Sequence, residues 1–359
     1  MNIIKVIKNH FLRLFALYFL LAVPISYAIS NQSHTLTKPD RLKSGDTVGL
    51  VASASYLGDT RQVDFAIERL KALGLKVVLG KSVREQNGYF SGTDQARAKD
   101  INDMFANSHI KAILEVRGGW GCARILPYLD YMLIHQHPKI IMGFSDITTL
   151  LLAIEEKAQL VTFHGPMAAM SWPSFTVEQL KKVLFDGQAP LILENPRDEL
   201  NPSEDIIQTQ DRIQTLIPGT AKGILIGGNL SIMTSLLGTP YEPNWQGKIL
   251  FIEDVNEFNY RIDRMMEQLD AAGVFKKIKG FIFGTCSGCR VNDPSVNASY
   301  GAFTIQEILM HYLRPYHIPA YMGAMIGHNT KMFTLPEGVK VEMNADSGSI
   351  TLLESPVLQ

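Results

Sequence analysis

From Asp40 onward, short apolar runs alternate with amphipathic stretches, and run length and period separate strands from helices. Thr47-Val-Gly-Leu-Val-Ala52 predicts a buried strand, and Val63 to Leu73 a helix closed by Gly74. Lys76 to Leu79, Ala112 to Val116, Lys139 to Met142 and Leu160 to Phe163 predict four more strands. Helices are predicted between them at Ala96 to Phe105 and Ala123 to Ile134, then at Ile147 to Lys157. This alternation builds an α/β, doubly wound, mostly parallel sheet, which places ligands at the carboxyl ends of its strands. Between Gln188 and Gly219 the pattern lapses. Pro190, Pro196, Pro202 and Pro218 punctuate a polar stretch that reads as a linker. Beyond it lie the runs Gly223 to Ile226, Lys248 to Ile252 and Ile278 to Phe283, with a helix from Arg261 to Ala272. Lys340 to Met343 and Ser349 to Leu353 flank a turn and predict a hairpin. The expected organisation is a domain over residues 40–187, a linker over 188–219, and a smaller mixed α/β domain over 220–359.

The pattern before Asp40 is of another kind. Lys5, Lys8 and Arg13 precede the apolar run Leu14 to Val23, Pro24 ends it, and Ser26 and Ala28 put small residues at −3 and −1 of a cleavage site. Residues 1–28 therefore read as a secretory signal peptide, because the run falls short of the ~20 residues that a spanning helix needs. The mature chain is expected to be exported and periplasmic, with no stable membrane anchor. Over the 359 residues, 46% hydrophobic and 19% charged positions exclude a disordered or collagen-like chain. Without its first 28 residues the chain holds 31 Lys and Arg against 35 Asp and Glu. No basic excess remains to neutralise phosphates, so nucleic acid is not an expected partner.

No HExxH, P-loop, EF-hand loop or GxGxxG after the first strand occurs, and no metal or cofactor is expected. Ser108-His-Ile-Lys111 has SxxK spacing but no KTG or SDN partner, and reads as a chance match. Cys286-Ser-Gly-Cys289 lacks the second ligand pair of a zinc site and lies too late in its domain for a thioredoxin-like motif. It reads as an incidental or weakly structural pair whose oxidation state the sequence leaves open.

Gly143-Phe-Ser-Asp-Ile-Thr148 is the sharpest local feature. A strand ends at Met142 and a helix starts almost at once, which puts Ser145 on a tight bend at the carboxyl edge of the sheet. There it is either a nucleophile beside the Asp146 N–H or a plain helix cap, and the glycine that an α/β-hydrolase bend carries two residues on is Ile147. Arg117-Gly-Gly-Trp-Gly121 follows the third strand at the same edge, with glycines that expose backbone N–H groups. A serine nucleophile needs a base and an orienting acid. His164 and His328 both stand at strand ends, and spacing does not choose between them. Glu253-Asp254 ends another strand.

These segments come in a fixed order. Arg117-Gly-Gly-Trp-Gly with Leu126-Pro-Tyr-Leu-Asp130, Gly-Phe-Ser145-Asp-Ile-Thr, His164-Gly-Pro, Gly227-Gly-Asn-Leu230, Ile252-Glu-Asp-Val255 with Tyr260-Arg261, and Gly327-His328 together resemble the LD-carboxypeptidase family of serine peptidases. The resemblance spans nearly the whole chain after Asp40. It implies a metal-free Ser-Glu-His triad in an interdomain cleft, with Ser145 as nucleophile, His328 as base and Glu253 as orienting acid. It also implies an oxyanion hole from the Gly119 and Asp146 N–H groups, with Arg117, Trp120 and Asn229 against the substrate. The implied reaction removes the terminal D-alanine from a murein tetrapeptide, and a homodimer is usual in the family. Trp120 stands where tyrosine is common, and family members that recycle murein are often cytoplasmic. A related branch of microcin immunity peptidases implies another amide as substrate. A periplasmic solute-binding protein shares the class and compartment, but needs no aligned Ser, Glu and His.

Overall fold

The computed structural model describes residues 36–196, 211–291 and 303–359. The expected signal peptide and cleavage site lie outside the described residues, as does the middle of the proline-punctuated stretch. Leu36–Gln359 is one compact unit built on two sheets. In chain order the first five strands are β1 (Thr47–Val51), β2 (Lys76–Leu79), β3 (Ile110–Glu115), β4 (Ile140–Gly143) and β5 (Thr162–His164). They are followed by β6 (Leu191–Leu193), β7 (Gln214–Ile217), β8 (Thr220–Asn229), β9 (Lys248–Val255) and β10 (Gly280–Ser287). The last four are β11 (Ala320–Met322), β12 (Leu335–Glu337), β13 (Lys340–Asn344) and β14 (Ser349–Leu352).

The first sheet runs β12-β5-β4-β3-β1-β2, with β1 to β5 parallel and only β12 antiparallel. The second runs β6-β14-β13-β8-β9-β10-β11-β7 and is mixed, with β8 to β11 parallel and the flanking strands antiparallel. The α/β class and the parallel first sheet are as the periodicity predicts. The expected helix over Ala123 to Ile134 is instead three short turns, Cys122–Ile125, Leu126–Tyr128 and Tyr131–Gln136. Pro127 explains the break, since its ring and missing N–H interrupt a continuing helix. The proline-punctuated stretch contributes two edge strands, β6 and β7.

Two departures from chain order position the site. β12 leaves the second half of the chain to pair with β5, Leu335 opposite His164 and Glu337 opposite Thr162. The Asn229 N–H at the end of β8 donates to Thr148 Oγ1, 3.0 Å away, at the start of the helix Thr148–Ala158. The carboxyl ends of β4 and of β8 and β9 are thereby held together. Among the described residues no helix is long and apolar enough to cross a membrane.

Candidate active site

Ser145 follows β4 with φ +64°, in the left-handed region that a side chain rarely adopts. Phe144 and Ile147 close the bend, the Ile147 N–H donating to the Phe144 carbonyl at 3.2 Å. The glycine loop after β3 lies directly against the serine. A Cβ on Gly118 would stand 3.0 Å from the Ser145 Cβ and 3.2 Å from its Oγ, so a side chain there would crowd the serine. Gly119 has φ +117°, and a Cβ there would strike the Ser55 hydroxyl. Ser55 straps the loop: its N–H donates to the Gly118 carbonyl at 3.4 Å and its Oγ accepts the Trp120 N–H at 3.0 Å.

His328, after β11, brings its Nε2 to 3.2 Å from Ser145 Oγ. Its Nδ1 lies 2.8 Å from Glu253 Oε2 on β9. The carboxylate side fixes the tautomer: Nδ1–H donates to Glu253, and Nε2 is left to accept the serine proton. Glu253 is fully buried while the His328 side chain keeps 22% of its surface. Gly327 is glycine for contact reasons, since a Cβ would come within 2.4 Å of Glu253 Oε2. Phe144 packs edge-on to the His328 ring at 4.8 Å.

Asn229 ends β8. It is buried at 4% exposure, with Nδ2 donating to Glu253 Oε1 at 3.1 Å and to Asp254 Oδ1 at 3.2 Å. Its Oδ1 accepts the Ile232 N–H and caps the helix Leu230–Leu236, so it faces Glu253 rather than solvent. Asp254 also accepts from the Ser231 hydroxyl at 2.7 Å; burial first, with some help from neighbouring Glu253, pushes its carboxyl up to about 6. Arg117 donates to the Tyr56 carbonyl at 3.3 Å, and Trp120 is 64% exposed, its ring edge-on to that of Tyr89. Asp146 is buried, and its Oδ2 accepts the Cys122 N–H at 2.9 Å, tying the serine bend to the end of the glycine loop.

His164, the other strand-end histidine, is fully buried between Phe144 and Phe251. Burial lowers its imidazole to about 4, which keeps it neutral, and neither of its ring nitrogens makes a hydrogen bond among the described residues. Motif reading missed the support beneath the glycine loop. Buried Arg97 donates to the Ser53 carbonyl and, at 3.1 Å, to that of Gly121. Glu115 accepts the Ser53 N–H at 3.0 Å, and burial pushes its carboxyl up to about 8. Their only sequence signal is a charged residue inside an otherwise apolar strand or helix face. Lys111 of the SxxK spacing lies at the opposite, amino end of β3, 3.6 Å from Asp40. No cluster of His, Cys, Asp or Glu suited to a metal occurs among the described residues.

Residues 48–165 match the family model described as the LD-carboxypeptidase N-terminal domain, and residues 222–343 the one described as its C-terminal domain. The chain belongs to the LD-carboxypeptidase family. Within this family it is 38% identical to a probable murein peptide carboxypeptidase of Bacillus subtilis, over 86% of this chain and 91% of the relative. It is 32% identical to the microcin C7 self-immunity protein of Escherichia coli, over 90% and 97% of the two chains. A solved structure of a microcin C7 self-immunity protein superposes with a TM-score of 0.78 at 29% identity, covering 90% of this chain and 100% of that one. The muramoyltetrapeptide carboxypeptidase of Oxalobacter formigenes superposes with a TM-score of 0.70 at 26% identity, covering 85% and 97%.

Proposed function

We propose that this LD-carboxypeptidase family member is an exported, periplasmic serine peptidase that removes the terminal D-alanine from murein tetrapeptides. The observation that carries the reading is the hydrogen-bonded line from Ser145 through His328 to Glu253, with the serine on a strained bend against a glycine loop. Ser145 Oγ attacks the carbonyl of the scissile amide while its proton passes to His328 Nε2. Buried Glu253 stabilises the imidazolium that forms. The Asp146 and Gly119 N–H groups take the charge that develops on the carbonyl oxygen. The C–N bond then breaks, and the departing amine of D-alanine takes the proton from His328. Water, deprotonated by the same imidazole, releases the tripeptide. Arg117 and exposed Trp120 line the approach and contact the substrate, whereas Asn229 acts through Glu253. A homodimer is part of the proposal.

Mass spectrometry of the protein incubated with a murein tetrapeptide tests this directly. Loss of one alanine is expected from the wild type, and Ser145→Ala is expected to lower the rate by at least about a thousandfold without unfolding. Equal turnover by both would overturn the assignment. The likeness to the microcin C7 self-immunity protein supports a second reading, hydrolysis of an aminoacyl or peptidyl nucleotide amide. An aminoacyl sulfamoyl nucleoside belongs in the same assay, and its cleavage in place of the tetrapeptide would favour that reading.

A further inference from the structure

Cys286 and Cys289, whose pairing the sequence leaves open, are joined by a disulfide at the end of β10. The link closes a four-residue turn in which the Cys289 N–H also donates to the Cys286 carbonyl at 3.1 Å. Gly288 takes φ +70° inside that turn, and a Cβ there would strike Asn256. Between the two cysteines stands Ser287. Its hydroxyl donates to the backbone carbonyl of His328 at 2.9 Å and reaches Asn329 Oδ1 at 3.1 Å. Thr285, on the other side of Cys286, donates to the same Asn329 oxygen at 2.9 Å. The turn is anchored on its far side as well. Cys286 and Ser287 pair with Asp254 and Val255 of β9, immediately after Glu253, and Cys289 Sγ accepts the Glu257 N–H at 3.3 Å. One covalently closed turn thus touches the strand carrying Glu253 and the loop carrying His328.

We infer that the Cys286–Cys289 disulfide makes Ser287 a positioning residue for His328, so that a thiol–disulfide exchange at this turn sets the Ser145–His328 geometry. This rests on the role given to His328 above. A dithiol reductant breaks the S–S bond by supplying two electrons and two protons. Two protein thiols form, and the reductant closes its own disulfide. Ser287 is then no longer inside a closed ring, and the carbonyl it holds loses a fixed donor. Both cysteines are half-buried residues.

The test compares oxidised and dithiothreitol-reduced full-length protein, with free thiols counted by alkylation, alongside Cys286→Ser/Cys289→Ser and Ser287→Ala. Reduction is expected to lower kcat on tetrapeptide about ten- to a hundredfold with KM unchanged, since small misplacements of a base act on the chemical step. Reoxidation should restore it. The double cysteine variant should sit at the reduced level and ignore the reductant, and Ser287→Ala should be low in both states. The His328 ring resonances, assigned with His328→Ala in histidine-labelled protein, should move on reduction of the wild type and stay put in Ser287→Ala. Unchanged kcat and unchanged His328 resonances in fully reduced protein would overturn the inference, as would an equal response in Ser287→Ala. The resonance measurement needs no substrate. A protein that spares the tetrapeptide while its His328 responds through Ser287 would remove the functional reading and keep this one.

Discussion

At Ser145 the backbone is held at φ +64°, a conformation that costs a residue with a side chain about 1–3 kcal/mol. The surroundings hold it there: Gly118 presses on its side chain, Phe144 and Ile147 close the bend, and Asp146 is tied to Cys122. Beneath this assembly lies Glu115, whose titration gives a prediction. Burial raises its carboxyl from an ordinary 4.5 to about 8, so the native protein keeps a proton that the unfolded chain releases. Unfolding therefore releases protons between those two values, and the Glu115 contribution to stability falls as pH rises across that window. Glu115→Gln, which copies the neutral form, should give a smaller fall in Tm between pH 6 and 9 than the wild type in thermal melts. Identical pH slopes would show that Glu115 is ionised in the native state. At this scale the residues that meet one another across the site were legible because each ends an apolar run. Spacing alone does not choose between His164 and His328, and only the family resemblance names His328, because burial of an imidazole depends on Phe144 and Phe251, which come from different sheets.

Among the elements, those made of long apolar or amphipathic runs could be read from the chain, and the short ones could not. β12 is the plainest case. Its three residues include a proline and a buried glutamate, and its partner β5 is remote in sequence, so no local pattern marks it. Pro336 is admissible because β12 is at the sheet edge, where one side needs no ladder donor. Glu337 enters a buried site beside Glu155, and burial holds its carboxyl well above the usual range. Glu155, on the helix Thr148–Ala158 that follows β4, bonds Lys248 of β9 at 3.0 Å, so the helix packed on the first sheet is tied to the second by charge as well as by β12. A fragment of residues 36–187 would lack both the edge strand and that lysine. It should therefore be insoluble or melt without a cooperative transition, and co-expression with residues 188–359 should restore it. A soluble, cooperatively melting fragment would show that the first sheet is self-sufficient.

For the molecule as a whole, one apolar cluster runs through both sheets, from Val48 and Phe163 to Phe251 and Ile350. With β12 crossing over and Lys248 paired to Glu155, the halves should unfold together. Calorimetry should show a single transition with matching calorimetric and van't Hoff enthalpies, and two resolved transitions would contradict the shared core. The crossing strand has a consequence for the order in which the protein comes into being. β5 is complete by His164, but the strand that covers its edge leaves the ribosome only after most of the chain has followed. At ordinary rates of synthesis that interval is roughly 10–30 s. Throughout it the first sheet waits with an open edge, so a nascent chain is kept from closing its native fold until synthesis is nearly done. Under the export proposed above, such a delay would keep the chain fit for passage across a membrane.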